Sequence, residues 1–110
     1  MQDNTITRIR GDTYADRFLV SVSGAAVDLT GCSLKLTLNT VRNPEDTSTQ
    51  VYQLDGIISL PSSGIVEFAP STLQADQVGY FYYDIQMSDS NGIIRTLVTG
   101  MYEYVQDITK

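Results

Sequence analysis

Apolar and polar residues alternate along most of this chain. In residues 33–39, Leu34, Leu36 and Leu38 hold one parity while Ser33, Lys35, Thr37 and Asn39 hold the other. A period of two turns one face of a β-strand inward and the other outward. Residues 80–88 repeat the pattern, with Phe81, Tyr83, Ile85 and Met87 set against Tyr80, Tyr82, Asp84 and Gln86. Phe18, Val20 and Val22 predict one apolar face within 14–22, and Val66 and Phe68 another about Glu67 within 65–69. Segments 4–10 and 93–105 read as the first and last strands. Residues 51–54 and Ile57–Leu60 complete the series.

Turn chemistry separates these runs. Gly11-Asp12, Ser23-Gly24, Thr30-Gly31, Asp55-Gly56, Pro61-Ser62-Ser63-Gly64 and Asp89-Ser90-Asn91-Gly92 fall between them, each rich in residues that reverse a chain. Asn91-Gly92 predicts a hairpin with a type I′ turn, which needs positive φ at both central positions. A single helical turn is expected near 71–76, capped by Ser71 or Thr72 and stopped by Gly79. The polar stretch 43–50 is the longest loop, and exposed. About seven or eight short strands at such spacing predict an all-β fold, a two-sheet antiparallel Ig-like β-sandwich. The whole chain, 1–110, reads as a single domain.

Composition narrows the chemistry. With 42% hydrophobic residues, the 110-residue chain can bury a core without disulfide or metal. It has no His and one Cys, which removes the commonest general base and metal ligand and every internal disulfide. Seven Lys and Arg against thirteen Asp and Glu leave a net charge of −6, so nucleic-acid phosphate is not an expected partner. No apolar run approaches the ~20 residues of a membrane helix. Met1-Gln2-Asp3 lacks the character of a secretory signal, which predicts synthesis in the cytoplasm.

Candidate reactive groups find plainer explanations. Asp12 and Asp28 flank turns, and Asp16 is expected on a solvent face, so the three do not read as a carboxylate site. Asp89-Ser90-Asn91-Gly92 lacks the later ligands of a calcium loop. Cys32 has no His to activate it and reads as a small buried side chain. Arg10-Gly11-Asp12 spells an adhesion tripeptide, yet its glycine stands where a strand must turn. The sequence predicts no enzyme, no cofactor and no metal.

The tyrosines carry more information. There are seven, and four form two pairs, Tyr80/Tyr82 and Tyr102/Tyr104. Tyr80 and Tyr82 oppose the apolar parity of their strand and should point outward. Whether Tyr102 and Tyr104 join them depends on register and on a possible bulge at Gly100, because a one-residue slip exchanges the faces. The four are the candidate interface. They serve a protein-docking patch, a stabilising cross-strand pairing or a carbohydrate platform.

A succession of phrases adds a resemblance. Arg10-Gly11-Asp12-Thr13 leads into the Phe18/Val20/Val22 strand, and Val27-Asp28-Leu29-Thr30-Gly31 into the Leu34/Leu36 strand. Pro44-Glu45-Asp46-Thr47 follows, then Gly64-Ile65-Val66-Glu67-Phe68. Later come Gly79 with Phe81-Tyr82-Tyr83-Asp84-Ile85-Gln86, Arg95-Thr96-Leu97-Val98-Thr99-Gly100 and Asp107-Ile108-Thr109. From about residue 5 to residue 109 this order resembles the Ig-like β-sandwich modules of tailed-phage virions, such as the amino-terminal domain of baseplate upper proteins. The resemblance implies a non-enzymatic virion structural protein: a capsid decoration, a head or neck appendage or a baseplate adaptor. It would sit in the virion and contact copies of itself or other virion proteins. The alternative is a module that binds host-surface glycan or receptor through its tyrosines.

Overall fold

The computed structural model describes residues 5–108; Asn4 of the expected first strand and Thr109 of the closing phrase lie outside them. The strands are β1 (Ile6–Ile9), β2 (Asp16–Leu19), β3 (Ser21–Val22), β4 (Ala25–Ala26), β5 (Ser33–Asn39), β6 (Gln50–Asp55), β7 (Ile57–Leu60), β8 (Ile65–Phe68), β9 (Gly79–Ser88) and β10 (Ile94–Val105). They form a five-stranded sheet in the order β1-β10-β9-β5-β6, a three-stranded sheet in the order β2-β8-β7, and the small β3-β4 hairpin. The fold is the expected all-β sandwich. Its pairs are antiparallel except for β1, which runs parallel to β10.

The core lies between the two larger sheets and follows the alternation. Leu34, Leu36 and Leu38 of β5 and Phe81, Tyr83 and Ile85 of β9 are buried together with Tyr52 and Leu54 of β6. Val66 and Phe68 close the core from the opposing sheet, where Phe18 meets Phe68 edge to face at 5.8 Å. Burying such side chains stabilises the fold by roughly 1.5–3 kcal/mol each. Cys32 is half-buried against this core.

Three expectations are corrected by backbone geometry. The first concerns 14–22, which is not one strand. After Leu19 pairs with Ile65, the Val20 amide turns to the Gly64 carbonyl at 2.8 Å, and Val22 enters the hairpin, 66% exposed. That division, together with the added β4, gives ten strands among the described residues. Gly64 permits the crossing: its φ is 70°, and a Cβ there would lie 2.6 Å from the Val20 carbonyl oxygen. Second, the two-residue turn with positive φ throughout is Ser23-Gly24 (51° and 82°). At Asn91-Gly92 only Gly92 has positive φ. Asp89 builds that loop instead, its Oδ1 accepting from the Asn91 and Ile93 amides at 2.9 and 3.0 Å, an Asx turn. Third, the expected turn at Pro61–Ser63 takes a 3-10 helical form, where the one helical turn was expected near 71–76. The expected turn at 71–76 closes once, Ala75 N–H to the Ser71 carbonyl at 2.9 Å, with Ser71 and Gln74 capping each other reciprocally.

Candidate binding groove on the five-stranded sheet

The four candidate tyrosines divide two and two. Ile94 pairs with Ser88 at the start of the β9-β10 ladder, and an unbroken register would set Tyr102 opposite Tyr80. The register shifts between Thr96 and Val98, so Tyr102 stands opposite Phe81 and Tyr104 opposite Gly79. Residues directly opposite across an antiparallel pair share a face. Leu97 is the extra residue, and it sends Tyr102 and Tyr104 into the core. Their exposures are 0% and 1%, against 65% for Tyr80. The shared four-tyrosine interface is therefore corrected: only Tyr80 and Tyr82 face outward.

Inside, Tyr102 and Tyr104 belong to a polar network. The Tyr102 hydroxyl donates to Asp16 Oδ2 at 2.6 Å, and the hydroxyls of Tyr104 and Tyr52 share a hydrogen bond of 2.7 Å. Arg8 of β1 is fully buried beside them, its Nη1 2.9 Å from Asp16 Oδ2. Its Nη2 donates to the carbonyls of Asp12 and Tyr14, and its guanidinium lies 4.1 Å from the Tyr14 ring centre. Arg8 Nε has no hydrogen-bond partner among the described residues. Desolvation raises the pKa values of Tyr52, Tyr102 and Tyr104, keeping the phenols protonated. Asp16, expected on a solvent face, is thus the carboxylate that ties β2 to β1 and β10. This cluster is structural, buried against the inner face.

The other carboxylates and the tripeptide settle as turn chemistry. Asp28 accepts from the Thr30 amide and hydroxyl at 3.0 and 2.6 Å. Arg10 donates from Nε to Asp76 Oδ1 at 2.6 Å, which ties the arginine of Arg10-Gly11-Asp12 back to the body.

The outer face of the five-stranded sheet carries a groove of about 240 Å³. Cross-strand register assembles its floor: Thr37, Asp84 and Thr99 stand in one row on β5, β9 and β10, with Asn39, Tyr82 and Met101 in the next. The 40–49 loop makes the wall. Buried Asn39 anchors it, its Oδ1 accepting from the Val41 amide at 3.0 Å and the Thr49 hydroxyl at 2.8 Å. That clamp sets Val41, Arg42 and Pro44 along the groove, the Arg42 guanidinium 5.2 Å from the Tyr82 ring centre. Gln53 reaches the row from β6, donating to Thr37 Oγ1 at 3.1 Å.

Asp84 is the one acidic side chain of this groove. It is half-buried, and desolvation by the surrounding sheet raises its pKa. The alternation of β9 places Asp84 outward beside Tyr82, but sequence reasoning did not single it out. Its neighbours arrive from residues 37–42 and 99–101, and nothing local in the sequence joins those segments. Among the described residues no group of three or more His, Cys, Asp and Glu is placed to hold a metal ion. Among the described residues no helix is long and apolar enough to cross a membrane.

No protein-family model matches the chain, and no curated protein matches it. Its fold is similar to a solved structure of CopC from Methylosinus trichosporium OB3b, with a TM-score of 0.55 over 96% of this chain and 88% of that one. Identity is 12%, so the likeness concerns the fold. It leads to a protein of that organism and not to a phage particle. The expectations of a virion structural protein with a host-receptor alternative, and of a virion location, are corrected accordingly.

Proposed function

We propose that this chain is a non-enzymatic binding module that holds a protein partner, another copy or a different chain, on the outer face of its five-stranded sheet. The observation that carries the reading is the groove itself. A solvent-facing sheet needs neither a half-buried carboxylate nor a clamped loop beside it, yet Asp84 and the Asn39 anchor supply both. Convergent polar groups in a concavity are the ordinary form of a binding site. Exposed Tyr80 extends it with aromatic area of the kind enriched at interfaces.

Catalysis finds little support in the same groove. The chain has no His, and Asp84 stands there as a single carboxylate without a second acid or base. Nuclear magnetic resonance of the full chain with small probes of acidic, basic, aromatic, apolar and hydroxylic character tests the reading. Amide shifts should gather at Thr37, Tyr82, Asp84 and Thr99. Shifts gathered on another surface, or none at any site, would overturn it.

A further inference from the structure

We infer that the groove is a receptor for a basic side chain, the guanidinium or ammonium of an arginine or lysine on the partner, seated on Asp84. The inference rests on the binding-module reading and adds the chemistry of the partner to it.

Charge complementarity carries the choice. Asp84 is the one acid of the groove, and among the described residues no ion pair compensates it. A carboxylate drawn out of water calls for a cation more strongly than for a neutral hydroxyl, because a cation adds charge attraction to the hydrogen bond that either donor can give. Thr37 and Thr99 flank it at ladder positions directly across the strands and line the same groove. The Tyr82 ring already receives one guanidinium, that of Arg42, so its face suits a cation. The chain as a whole carries −6, a field that draws basic partners in.

Arg42 is the opposing charge and must be weighed. It belongs to the exposed part of the loop, where water and salt screen it, whereas Asp84 sits at the floor. The floor charge should therefore dominate. An incoming guanidinium would compete with Arg42 for the Tyr82 face, which makes Arg42 a brake on binding.

The test titrates the labelled full chain with N-acetyl-arginine amide and N-acetyl-lysine amide at low salt, with N-acetyl-glutamate amide and simple monosaccharides alongside. The basic probes should shift the amides of Thr37, Tyr82, Asp84 and Thr99. Asp84→Asn should weaken them about tenfold, the scale of one charged hydrogen bond, while Arg42→Ala should tighten them a few-fold. Asp55→Asn, an equal charge change at an exposed position paired with Lys35, should leave them alone. Four results would overturn the inference: equal binding by Asp84→Asn, basic-probe shifts spread over many carboxylates, a stronger response to glutamate or sugar, or no response to any probe. Glutamate binding in the groove would refute the basic partner while sparing the protein-binding module, whereas a preference for sugar would refute both. A groove that takes no probe would refute both.

Discussion

Tyr80/Tyr82 and Tyr102/Tyr104 share a spacing and lie on paired neighbouring strands, yet they perform opposite work. The first pair presents aromatic surface to solvent and to the groove. The second fills the core, Tyr102 edge to face with Tyr83 at 5.8 Å and Tyr104 with Phe81 at 6.1 Å. One inserted residue, Leu97, separates the two fates. A tyrosine on a strand has no inherent side; register assigns it one.

The largest effect should come from crossing that divide. Tyr102→Ala removes a fully buried ring together with the hydroxyl bonded to Asp16. About 3–5 kcal/mol of stability should be lost, measured by urea unfolding. Tyr80→Ala should stay within about 0.5 kcal/mol, since it touches a largely exposed side chain. Equal losses from the two variants would break the comparison. Deleting Leu97 sharpens it, because loss of the extra residue closes the bulge with Val98 still opposite Ile85 and Tyr102 still opposite Phe81, so both tyrosines should stay buried.

The middle effect concerns hydroxyls and pH. Tyr52→Phe removes the 2.7 Å bond to Tyr104 and leaves that hydroxyl buried; a loss of about 1–3 kcal/mol is expected. Burial raises the pKa values of Tyr52, Tyr102 and Tyr104. The folded state therefore keeps protons that the unfolded chain releases near pH ~10. Stability from these groups is complete below that value and declines as pH climbs beyond it. Phenolate absorbance and circular dichroism should show the three titrating only as the sheet signal collapses. Their ionisation in a chain that is still folded would contradict the buried network.

What the sequence shows of this molecule divides along the same line. Period-two alternation is a local signal, so β5 and β9 and the inner and outer parities of Leu34–Leu38 and Phe81–Ile85 are legible directly. Bulges are not: nothing in Arg95-Thr96-Leu97-Val98 announces that Leu97 is the extra residue, and Gly100 is the more natural suspect. Asp16 looks like any surface aspartate until β1 brings Arg8 to it. Val22 continues an apolar parity that the chain abandons after Val20, where the Val20 amide bonds to Gly64. The groove was half legible, since Tyr82 and Asp84 share an outward parity. Its other parts come from strands and a loop that only the sheet order brings together. A family resemblance built on the order of short phrases pointed to the right fold class and misdirected the function.

The smallest effect bears most directly on what the outer face is for. Burial raises the Asp84 pKa, with desolvation as the cause. A carboxylate raised in the folded state favours folding below its unfolded value of ~3.9, and that contribution is lost as pH rises through the folded-state value. At neutral pH the ionised group therefore works against the fold. Asp84→Asn keeps the shape and removes the charge, so it should be slightly more stable than the parent at neutral pH. The gain should be a few tenths of a kcal/mol, kept small by partial exposure, and should shrink as the solution is acidified through the folded-state value. Calorimetry across pH would measure it. A loss of stability would mean that the carboxylate supports the sheet, and the groove would lose its best evidence of purpose. A gain coupled to weaker binding of the basic probes is the trade expected where a site retains a group for its partner rather than for the fold.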